Sequence, residues 1–255
     1  MQDEKLLDTA VDCKADASEQ DKQEQIVSMF DAIAPSYDLA NRILSLGVDK
    51  SWRKRAVSLA LSSRRLSKGA HILDVACGTG DMLFYWEKGA KKAQKTVLSL
   101  NGLDPSSGML DIAKTRFPGI SFTQGMAQDM PYEDESMDII SIAYGIRNVQ
   151  DIAKALAEFK RVLRPGGLLV VLEFTKRKSS TVTVLRDWYL RSLLPVIGGM
   201  LSNNKEAYKY LPASIDGFLD KEGFEEKLGE ASFLMQHYRS FSFGICSLFI
   251  ARKER

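Results

Sequence analysis

The stretch "LDVACGTGD", residues 73–81, decides the fold, because it joins an apolar strand to a glycine loop. It continues the run "AHILDVA" at residues 70–76, and such an unbroken apolar run is typical of a strand buried on both faces. Gly78 and Gly80 let the backbone approach a ligand closely, and the helix predicted after them would offer its N-terminal amides. A tight strand-to-helix turn without a ligand explains the same residues, so the loop alone does not establish a site.

Outward from this stretch, short apolar strands alternate with helices. The alternation predicts an α/β fold whose sheet is mostly parallel and is covered by helices on both faces. Two further C-terminal runs, 224–229 and 244–252, are expected to form an antiparallel hairpin on the sheet. The predicted strands cover residues 70–76, 96–103, 119–123, 137–143 and 168–174, and the predicted helices cover 80–89, 106–116 and 150–163.

The chain upstream of the sheet has a different composition and divides in two. Residues 1–23 are polar and acidic, and we expect a flexible tail there. Residues 24–69 are expected to form a helical cap. The main domain then covers residues 70–255 and includes a lid-like insertion at about 176–215. The helices predicted within the cap lie near 24–34, 38–46 and 49–61.

The composition excludes several classes of protein. The length of 255 residues fits one large domain, and the net charge of +2 does not by itself indicate a nucleic acid partner. Three scattered cysteines and two histidines argue against a disulfide framework, a zinc site and a Ser-His-Asp triad, and no metal is predicted. The most apolar stretch, 188–201, is shorter than the roughly 20 residues of a spanning helix. With no signal peptide in its acidic N-terminus, the protein is expected to be cytoplasmic.

Asp104 ends the second predicted strand, in "NGLDPSS". An acid at this place can hydrogen-bond both hydroxyls of a ribose. The pyrophosphate-binding pattern GxGxxG is incomplete here, and the carboxylate of Asp81 after the loop would repel a phosphate. A cationic ligand with one ribose fits better, and S-adenosylmethionine is such a ligand. The loop "QGMAQDMPY", residues 124–132, either lines its adenine or packs without a ligand.

Together these elements resemble the class I methyltransferases that use S-adenosylmethionine. Four stretches resemble, more narrowly, the ubiquinone/menaquinone biosynthesis C-methyltransferase family. The resemblance implies a Rossmann-like sheet of seven strands with the last inserted antiparallel. It also implies methyl transfer from S-adenosylmethionine to a ring carbon of a prenylated quinol, leaving S-adenosylhomocysteine. The four stretches are "MFDAIAPSYDLANRILSLGVDKSWRK" (29–54), "AYGIRNVQD" (143–151), "RVLRPGGLLVVLEF" (161–174) and "LLPVIGGMLSNNKEAYKYLPASI" (193–215).

The resemblance carries a set of donor-binding positions with it. By motif, the family's positions fall on Thr79, Asp104, Met126 and Ala127. The chain departs from the family at Ala143, where bacterial members often have Ser, and at Met126, where Asn is frequent. The whole predicted donor site consists of Asp74, Gly78, Thr79, Gly80, Asp104, Met109, Met126, Ala127 and Ala143.

The fourth predicted strand ends unusually, because Arg147 and Asn148 follow it directly. A quinol ring carbon becomes nucleophilic when the adjacent hydroxyl loses its proton, and a phenol titrates near pH 10. Arg147 is always protonated, so it would hold the quinol oxygen rather than act as a base. The alternative is that Arg147 pairs with an acid such as Asp151 or Asp38 and only orders the loop.

The base itself stays open at this point. The stretch "APSYDLAN" offers Tyr37, Asp38 and Asn41, and a water held by Arg147 is another candidate. We predict a catalytic group of Arg147, Asn148, Tyr37 and Asp38. The predicted acceptor-binding group consists of Tyr37, Asn41, Arg147 and Tyr208.

The acceptor and the partners are less narrowly predicted. Demethylmenaquinol is favoured over the ubiquinol precursor. A methyltransferase for another small molecule and a non-catalytic subunit of a quinone-biosynthesis complex are the alternatives. Residues 181–201 either form a lid that contacts the isoprenoid tail and an anionic membrane surface, or form a core or homodimer helix. No nucleic acid is expected, since "AYGIRN" stands where amino-group methyltransferases carry Pro-Pro-aromatic.

Overall fold

A seven-stranded sheet forms the centre of the protein in a computed structural model, which describes residues 23–35, 37, 42, 45, 47–63, 69–176 and 205–254. The predicted strands are confirmed in position, with ends that differ by a few residues, except at the start of the fifth. The strands are β1 (Ala70–Val75), β2 (Val97–Asp104), β3 (Ser121–Gln124), β4 (Met137–Ala143), β5 (Leu163–Phe174), β6 (Phe233–Phe241) and β7 (Cys246–Lys253).

The strands lie in the order β3-β2-β1-β4-β5-β7-β6. Strands β1 to β5 run parallel to one another, and β7 runs antiparallel to both β5 and β6. The predicted mostly parallel sheet with one antiparallel strand is therefore confirmed. The order reverses between β1 and β4, and ligands of open α/β sheets bind at such a switch point, beyond the carboxyl ends of the strands.

Helices cover both faces of the sheet, as predicted. Three of them begin with a side chain that caps the first turn: Ser106, Asp151 and Asp220 accept hydrogen bonds from backbone amides. The described helices are α1 (23–35), α2 (Val48–Ser63), α3 (Asp81–Lys92), α4 (Ser107–Arg116), α5 (Ile152–Val162), α6 (Lys205–Gly217) and α7 (Lys221–Glu230).

The central strands are buried on both faces because their side chains alternate between two apolar layers. Ile139 and Ile140 are consecutive on β4, and they belong to opposite layers. One layer packs against α5 and α7 and contains Phe159. The other packs against α2 and α3 and contains Trp86. This double burial explains the unbroken apolar runs in the sequence.

The prediction of a strand at 224–229 is wrong, because these residues lie in α7. Phe224 and Leu228 are four residues apart and are both fully buried, which is the helical period. The strand that pairs with β7 is β6 instead. The prediction of a strand at 244–252 is confirmed by β7. Strand β5 also starts earlier than expected, at Leu163, and includes the Pro-Gly-Gly stretch.

Some predicted segments fall outside the described residues. These are the tail at 1–22, most of the segment at 38–46, and residues 177–204 of the insertion. The end of the insertion is described and forms α6. No helix in the described part of the chain is both long and apolar enough to cross a membrane.

Candidate active site

A cavity opens at the switch point, beyond the carboxyl ends of β1, β2, β3 and β4. It contains about 700 Å³ of space, including the part open to solvent. Residues of α1 form one wall of it, through Gln23, Ile26, Val27 and Phe30, which share one helical face. The opposite wall comes from the loops that follow the strands. The cavity is therefore closed over by a helix that lies outside the sheet domain.

The glycine loop after β1 needs its unusual backbone. Ala76 and Gly78 adopt positive φ angles of 50° and 54°, and Gly80 follows at 87°. A Cβ atom at Gly80 would lie 2.8 Å from the ring of Phe117 on the far side of the loop. These conformations turn the Gly78 amide towards the end of β2, where it donates a 2.7 Å hydrogen bond to Asp104.

Asp104 lines the cavity with both carboxylate oxygens engaged. Oδ2 accepts from the Gly78 amide, and Oδ1 accepts from the Ser106 amide at 2.9 Å. Burial raises the pKa of Asp104 to about 6, although these two hydrogen bonds oppose the rise. Each oxygen keeps a further lone pair, so the carboxylate can still accept from two ribose hydroxyls.

Helix α1 is attached directly to the residues next to Asp104. Asp31 Oδ1 accepts a 2.5 Å hydrogen bond from the Ser106 hydroxyl and a 2.9 Å hydrogen bond from the Gly108 amide. Ser106 caps α4 and donates its own amide to Asp104. The Asp31 carboxylate thus connects α1 to Ser106, which in turn holds Asp104.

Asp74 is buried beneath the loop and does not line the cavity. Its Oδ1 accepts a 2.6 Å hydrogen bond from the Ser141 hydroxyl on the neighbouring strand β4, and the Trp86 indole donates to the same hydroxyl at 2.8 Å. The Asp74 residue is only 1% exposed. Burial raises its pKa to about 7. The network ties β1, β4 and α3 together under the donor site.

Arg147 lies on a 3₁₀ turn, Ile146–Asn148, directly after β4. Its Nη1 donates to Glu173 Oε1 at 2.8 Å and to the Tyr144 carbonyl at 2.6 Å, while Nε donates to Ser214 Oγ at 3.2 Å. The Arg147 amide also donates to Glu173 Oε2 at 3.3 Å. Burial raises the pKa of Glu173, and the neighbouring guanidinium counteracts that rise. Glu173 sits at the end of β5 in an apolar run, and the sequence reasoning missed it.

The expected alternative partners of Arg147 are not the ones observed. Asp151 instead caps α5, where it accepts from the Lys154 amide at 2.8 Å. Asp38 lies outside the described residues, as does Asn41. Arg147 does pair with an acid, as the alternative interpretation expected, but that acid is Glu173.

Asn148 lines the cavity and contacts α6. Its side-chain carbonyl Oδ1 accepts a 3.0 Å hydrogen bond from the Tyr210 hydroxyl. Tyr208 was the predicted acceptor-site tyrosine; its backbone is part of α6, but its side chain falls outside the described part of the chain. Tyr210 was not predicted, because the sequence alone does not show which residues of the helix contact the turn.

A second buried arginine, Arg53, was also missed. It belongs to α2, where it pairs with Asp49 one turn earlier. Its guanidinium carbon lies 4.9 Å from the ring centre of Tyr144, and Tyr144 stacks on Phe174 with ring centres 4.9 Å apart. The i,i+4 spacing of Asp49 and Arg53 was the available signal. This arrangement fixes Tyr144, whose carbonyl holds Arg147.

The predicted site residues divide by position. Of the predicted residues on β1 and in the loop after it, Gly78 lines the cavity. Asp74, Thr79 and Gly80 are not among the lining residues and lie behind the cavity or at its edge. Arg147 lies behind Asn148 on the same turn and is not among the lining residues either. Within the described ranges no group of three His, Cys, Asp or Glu residues could hold a metal ion. The predicted residues that do line the cavity are Tyr37, Gly78, Asp104, Met109, Met126, Ala127, Ala143 and Asn148.

The sheet order, with a glycine loop and an acid at its switch point, defines a class I methyltransferase. Solved structures agree in fold. The [4+2]-cyclase SpnF matches with a TM-score of 0.64 and 16% identity, covering 91% of this chain and 96% of that one. A SAM-dependent methyltransferase from Thermotoga maritima matches with a TM-score of 0.59 and 20% identity, covering 89% and 99%.

The chain belongs to the ubiE/COQ5 methyltransferase family, whose model matches residues 18–253, and it is thus an S-adenosylmethionine-dependent C-methyltransferase. It is 55% identical to the ubiquinone/menaquinone biosynthesis C-methyltransferase UbiE of Campylobacter jejuni subsp. jejuni serotype O:6, over 91% of this chain and 99% of that one. It is 39% identical to the demethylmenaquinone methyltransferase of Deinococcus radiodurans, over 92% and 95%. The corresponding enzyme of Chlorobaculum tepidum is 37% identical, over 89% and 92%.

Proposed function

We propose that the protein methylates a ring carbon of a prenylated quinol, with demethylmenaquinol as the acceptor and S-adenosylmethionine as the donor. One observation carries the proposal. Asp104 and Asn148 line the same cavity. Asp104 is an acid that can bind a ribose, and Asn148 lies on the turn that would bind a quinol oxygen. The names of the relatives support the acceptor, because those from Deinococcus radiodurans and Chlorobaculum tepidum are demethylmenaquinone methyltransferases.

The donor fits the part of the cavity next to the glycine loop. Asp104 would accept from the ribose hydroxyls, and its hydrogen bonds to the Gly78 and Ser106 amides hold it in place for this. Met126 and Ala127 would flank the adenine with apolar surface. When bound, S-adenosylmethionine supplies an electrophilic methyl group on a sulfonium. Asp74 would act from below, by fixing β1 and its loop.

The chain contributes alignment and exclusion of water. Holding two reactants in line can lower a barrier by roughly 7–11 kcal/mol. Helix α1 covers the cavity with the apolar side chains of Ile26, Val27 and Phe30. A dry, closed site also strengthens every hydrogen bond to a developing charge. Helix α1 would therefore contribute to the reaction by excluding water, although it lies outside the sheet.

Arg147 would stabilise the ionised quinol oxygen. Glu173 and the Tyr144 carbonyl hold its Nη1, whereas Nη2 donates to no partner among the described residues. Because Glu173 offsets much of the positive charge, Arg147 acts through directed N–H donors more than through net charge. Asn148 stands beside it at the cavity wall.

The hydroxyl loses its proton before the attack and the methylated carbon loses its proton afterwards; the ring oxygen is then reprotonated, so one proton leaves overall. Among the base candidates, Tyr37 lines the cavity. Its ring packs edge-to-face with that of Phe30, with 6.1 Å between the ring centres. A water held by Arg147 is the alternative. Asp38 and Asn41 stay candidates from the sequence alone.

The remaining parts of the proposal concern the surroundings of the site. The isoprenoid tail needs an apolar path, and residues 181–201 would supply it as a lid. Contact with the membrane surface, a homodimer, and the division into tail, cap and main domain also stay predictions. Their support is the apolar, arginine-interrupted composition of that segment and the position of α1 over the cavity.

The test is methyl transfer from a labelled donor to a panel of reduced quinols. We expect label in demethylmenaquinol, with less or none in the ubiquinol precursor and none in sterols or simple phenols. Binding of S-adenosylmethionine is measured separately by calorimetry. Donor binding with no labelled quinol would reject the acceptor, and the absence of donor binding would reject the enzyme.

A further inference from the structure

Helix α6 contacts the acceptor turn at two points. The Tyr210 hydroxyl donates to Asn148 Oδ1 at 3.0 Å, and Ser214 Oγ accepts from Arg147 Nε at 3.2 Å. Tyr210 and Ser214 are four residues apart and therefore lie on one face of α6. Two consecutive residues of the turn are thus each held by the same helix face.

The Tyr210 hydrogen bond fixes which end of the Asn148 amide meets the cavity. A carboxamide has an acceptor oxygen and two N–H donors on one nitrogen. With Oδ1 bonded to Tyr210, the Nδ2 group is left for the cavity, where Asn148 is a lining residue. Rotating the amide would replace this acceptor oxygen by an N–H group, to which the Tyr210 hydroxyl cannot donate.

Arg147 adds a second donor of the same kind. Its Nη1 and Nε are occupied by Glu173, the Tyr144 carbonyl and Ser214. Arginine has no acceptor atom, and within the described part of the chain only Nη2 has no partner. The Asn148 oxygen is directed at Tyr210, so the side chains of the turn present mainly N–H groups to an acceptor molecule.

We propose that Tyr210 is a positioning residue that turns the N–H donors of Asn148 towards the acceptor, so that the turn favours the phenolate form of the bound ring oxygen. The inference rests on the proposed function and names the ionic form that the site selects. A neutral hydroxyl oxygen can accept from these N–H groups, but a phenolate accepts more strongly, because charge-assisted hydrogen bonds are roughly twice as strong as neutral ones. An anion can accept from both side chains, so binding lowers the pKa of the bound quinol.

The consequence is measurable in the pH dependence of turnover. The acidic limb of the kcat profile reports ionisation of the bound quinol. Removing the Tyr210 hydroxyl frees the Asn148 amide to rotate, which weakens one donor to the phenolate. The limb then moves to higher pH, because the anion is less stabilised. A purely structural role of Tyr210 would lower kcat without moving that limb.

The experiment compares Tyr210→Phe with wild type in the full chain, using demethylmenaquinol. We expect kcat at neutral pH to fall roughly ten- to a hundredfold, the loss typical of one hydrogen bond to a charged group. We expect the acidic limb to rise by about one pH unit or more. The affinity for S-adenosylhomocysteine should not change. Tyr238→Phe is the matched control, since it removes a hydroxyl that contacts Ser247 on β7, away from the turn.

A second variant keeps the test decisive if Tyr210→Phe does not fold. Asn148→Asp keeps the shape but replaces the two N–H donors with a carboxylate, and we expect a larger loss of kcat and a larger shift of the limb. An unmoved acidic limb in either folded variant overturns the inference. If the wild-type protein does not methylate any quinol, the proposed function fails instead, and that result is distinct.

Discussion

Arg147 Nη1 lies 2.8 Å from Glu173 Oε1, and the two side chains are 6% and 0% exposed. The pair joins the turn after β4 to the end of β5, across neighbouring parallel strands. A buried ion pair of this kind adds little net stability over an apolar pair, but removing one partner leaves an expensive unpaired charge. Its value here is the orientation that it gives to Arg147.

Removing the charge of Glu173 tests that orientation. Glu173→Gln should lower the free energy of unfolding by about 1–3 kcal/mol, because Arg147 stays buried without a counterion. Turnover should fall as well, since the guanidinium loses its fixed direction. Glu225→Gln is the control, because Glu225 pairs with Lys221 in a partly exposed bridge, and such bridges contribute about 0–1 kcal/mol. Equal effects of the two changes in denaturant unfolding would contradict the prediction.

Arg147 itself is tested by a change that keeps its charge. Lysine lacks the planar fork and cannot keep the hydrogen bonds to Glu173 and Ser214 while directing a further N–H at the quinol oxygen, so kcat in Arg147→Lys should fall about a hundredfold or more. The dissociation constant for S-adenosylhomocysteine should stay unchanged, since Arg147 does not line the cavity. Arg164→Lys, at a partly exposed arginine paired with Asp138, serves as the control. Near-normal turnover would show that Arg147 does not hold the quinol oxygen.

Asp104 should control donor affinity in a pH-dependent way. Its pKa is raised to about 6, and a protonated carboxyl is a weaker acceptor for the ribose hydroxyls. Affinity for S-adenosylhomocysteine should therefore decrease as the pH falls through about 6. In Asp104→Asn the affinity should be lower at neutral pH and should lose this dependence. Calorimetric titrations at several pH values measure both effects, and an unchanged slope in the variant would exclude Asp104 as the titrating group.

Asp74 should make the protein less stable as the pH rises. Its folded-state pKa of about 7 lies above the ordinary value of 3.8, so the folded state binds the proton more tightly than the unfolded state does. The stabilisation is complete below about pH 4 and is lost as the pH rises through about 7. Asp74→Asn should flatten this part of the curve of unfolding free energy against pH. The control is Asp111→Asn, at a carboxylate that is 76% exposed and should leave the curve unchanged.

Gly145 should tolerate no side chain. A Cβ atom there would lie 2.5 Å from the Cβ of Ala76, between the turn after β4 and the glycine loop. Gly145→Ala should push the two loops apart and weaken the binding of S-adenosylhomocysteine. Gly229→Ala provides the comparison, since nothing lies within 4 Å of its added Cβ and it belongs to α7. Donor affinity at the wild-type level in Gly145→Ala would show that the loops adjust without cost.

The sequence was sufficient for the features that depend on local pattern. The strands, the glycine loop and Asp104 follow from periodicity and spacing along the chain, and the structure brings them to one cavity. Glu173 could have been found, because an acid inside the apolar run of β5 must be paired when it is buried. Its partner lies 26 residues away, and choosing Arg147 requires the pairing of β4 with β5.

The features that failed depend on tertiary contacts. Residues 224–229 contain too few apolar positions to separate the two periods, and burial of Phe224 and Leu228 on one face decides for a helix. Tyr210 contacts Asn148 across 62 residues of sequence, because α6 packs against the turn. No local pattern reports which face of α6 meets the turn.

The Asp31 carboxylate has a thermodynamic consequence for the enzyme as a whole. It holds Ser106 and Gly108, and Ser106 in turn holds Asp104, so docking of α1 and binding of a nucleoside at the proposed Asp104 site would share one set of hydrogen bonds. Coupling between two such events is reciprocal. If the docked helix makes nucleoside binding more favourable by a given free energy, a bound nucleoside makes docking of the helix more favourable by the same amount. With the nucleoside bound at the proposed site, the sheet and the N-terminal helix would therefore behave as one cooperative unit, and release of the spent nucleoside would favour their separation.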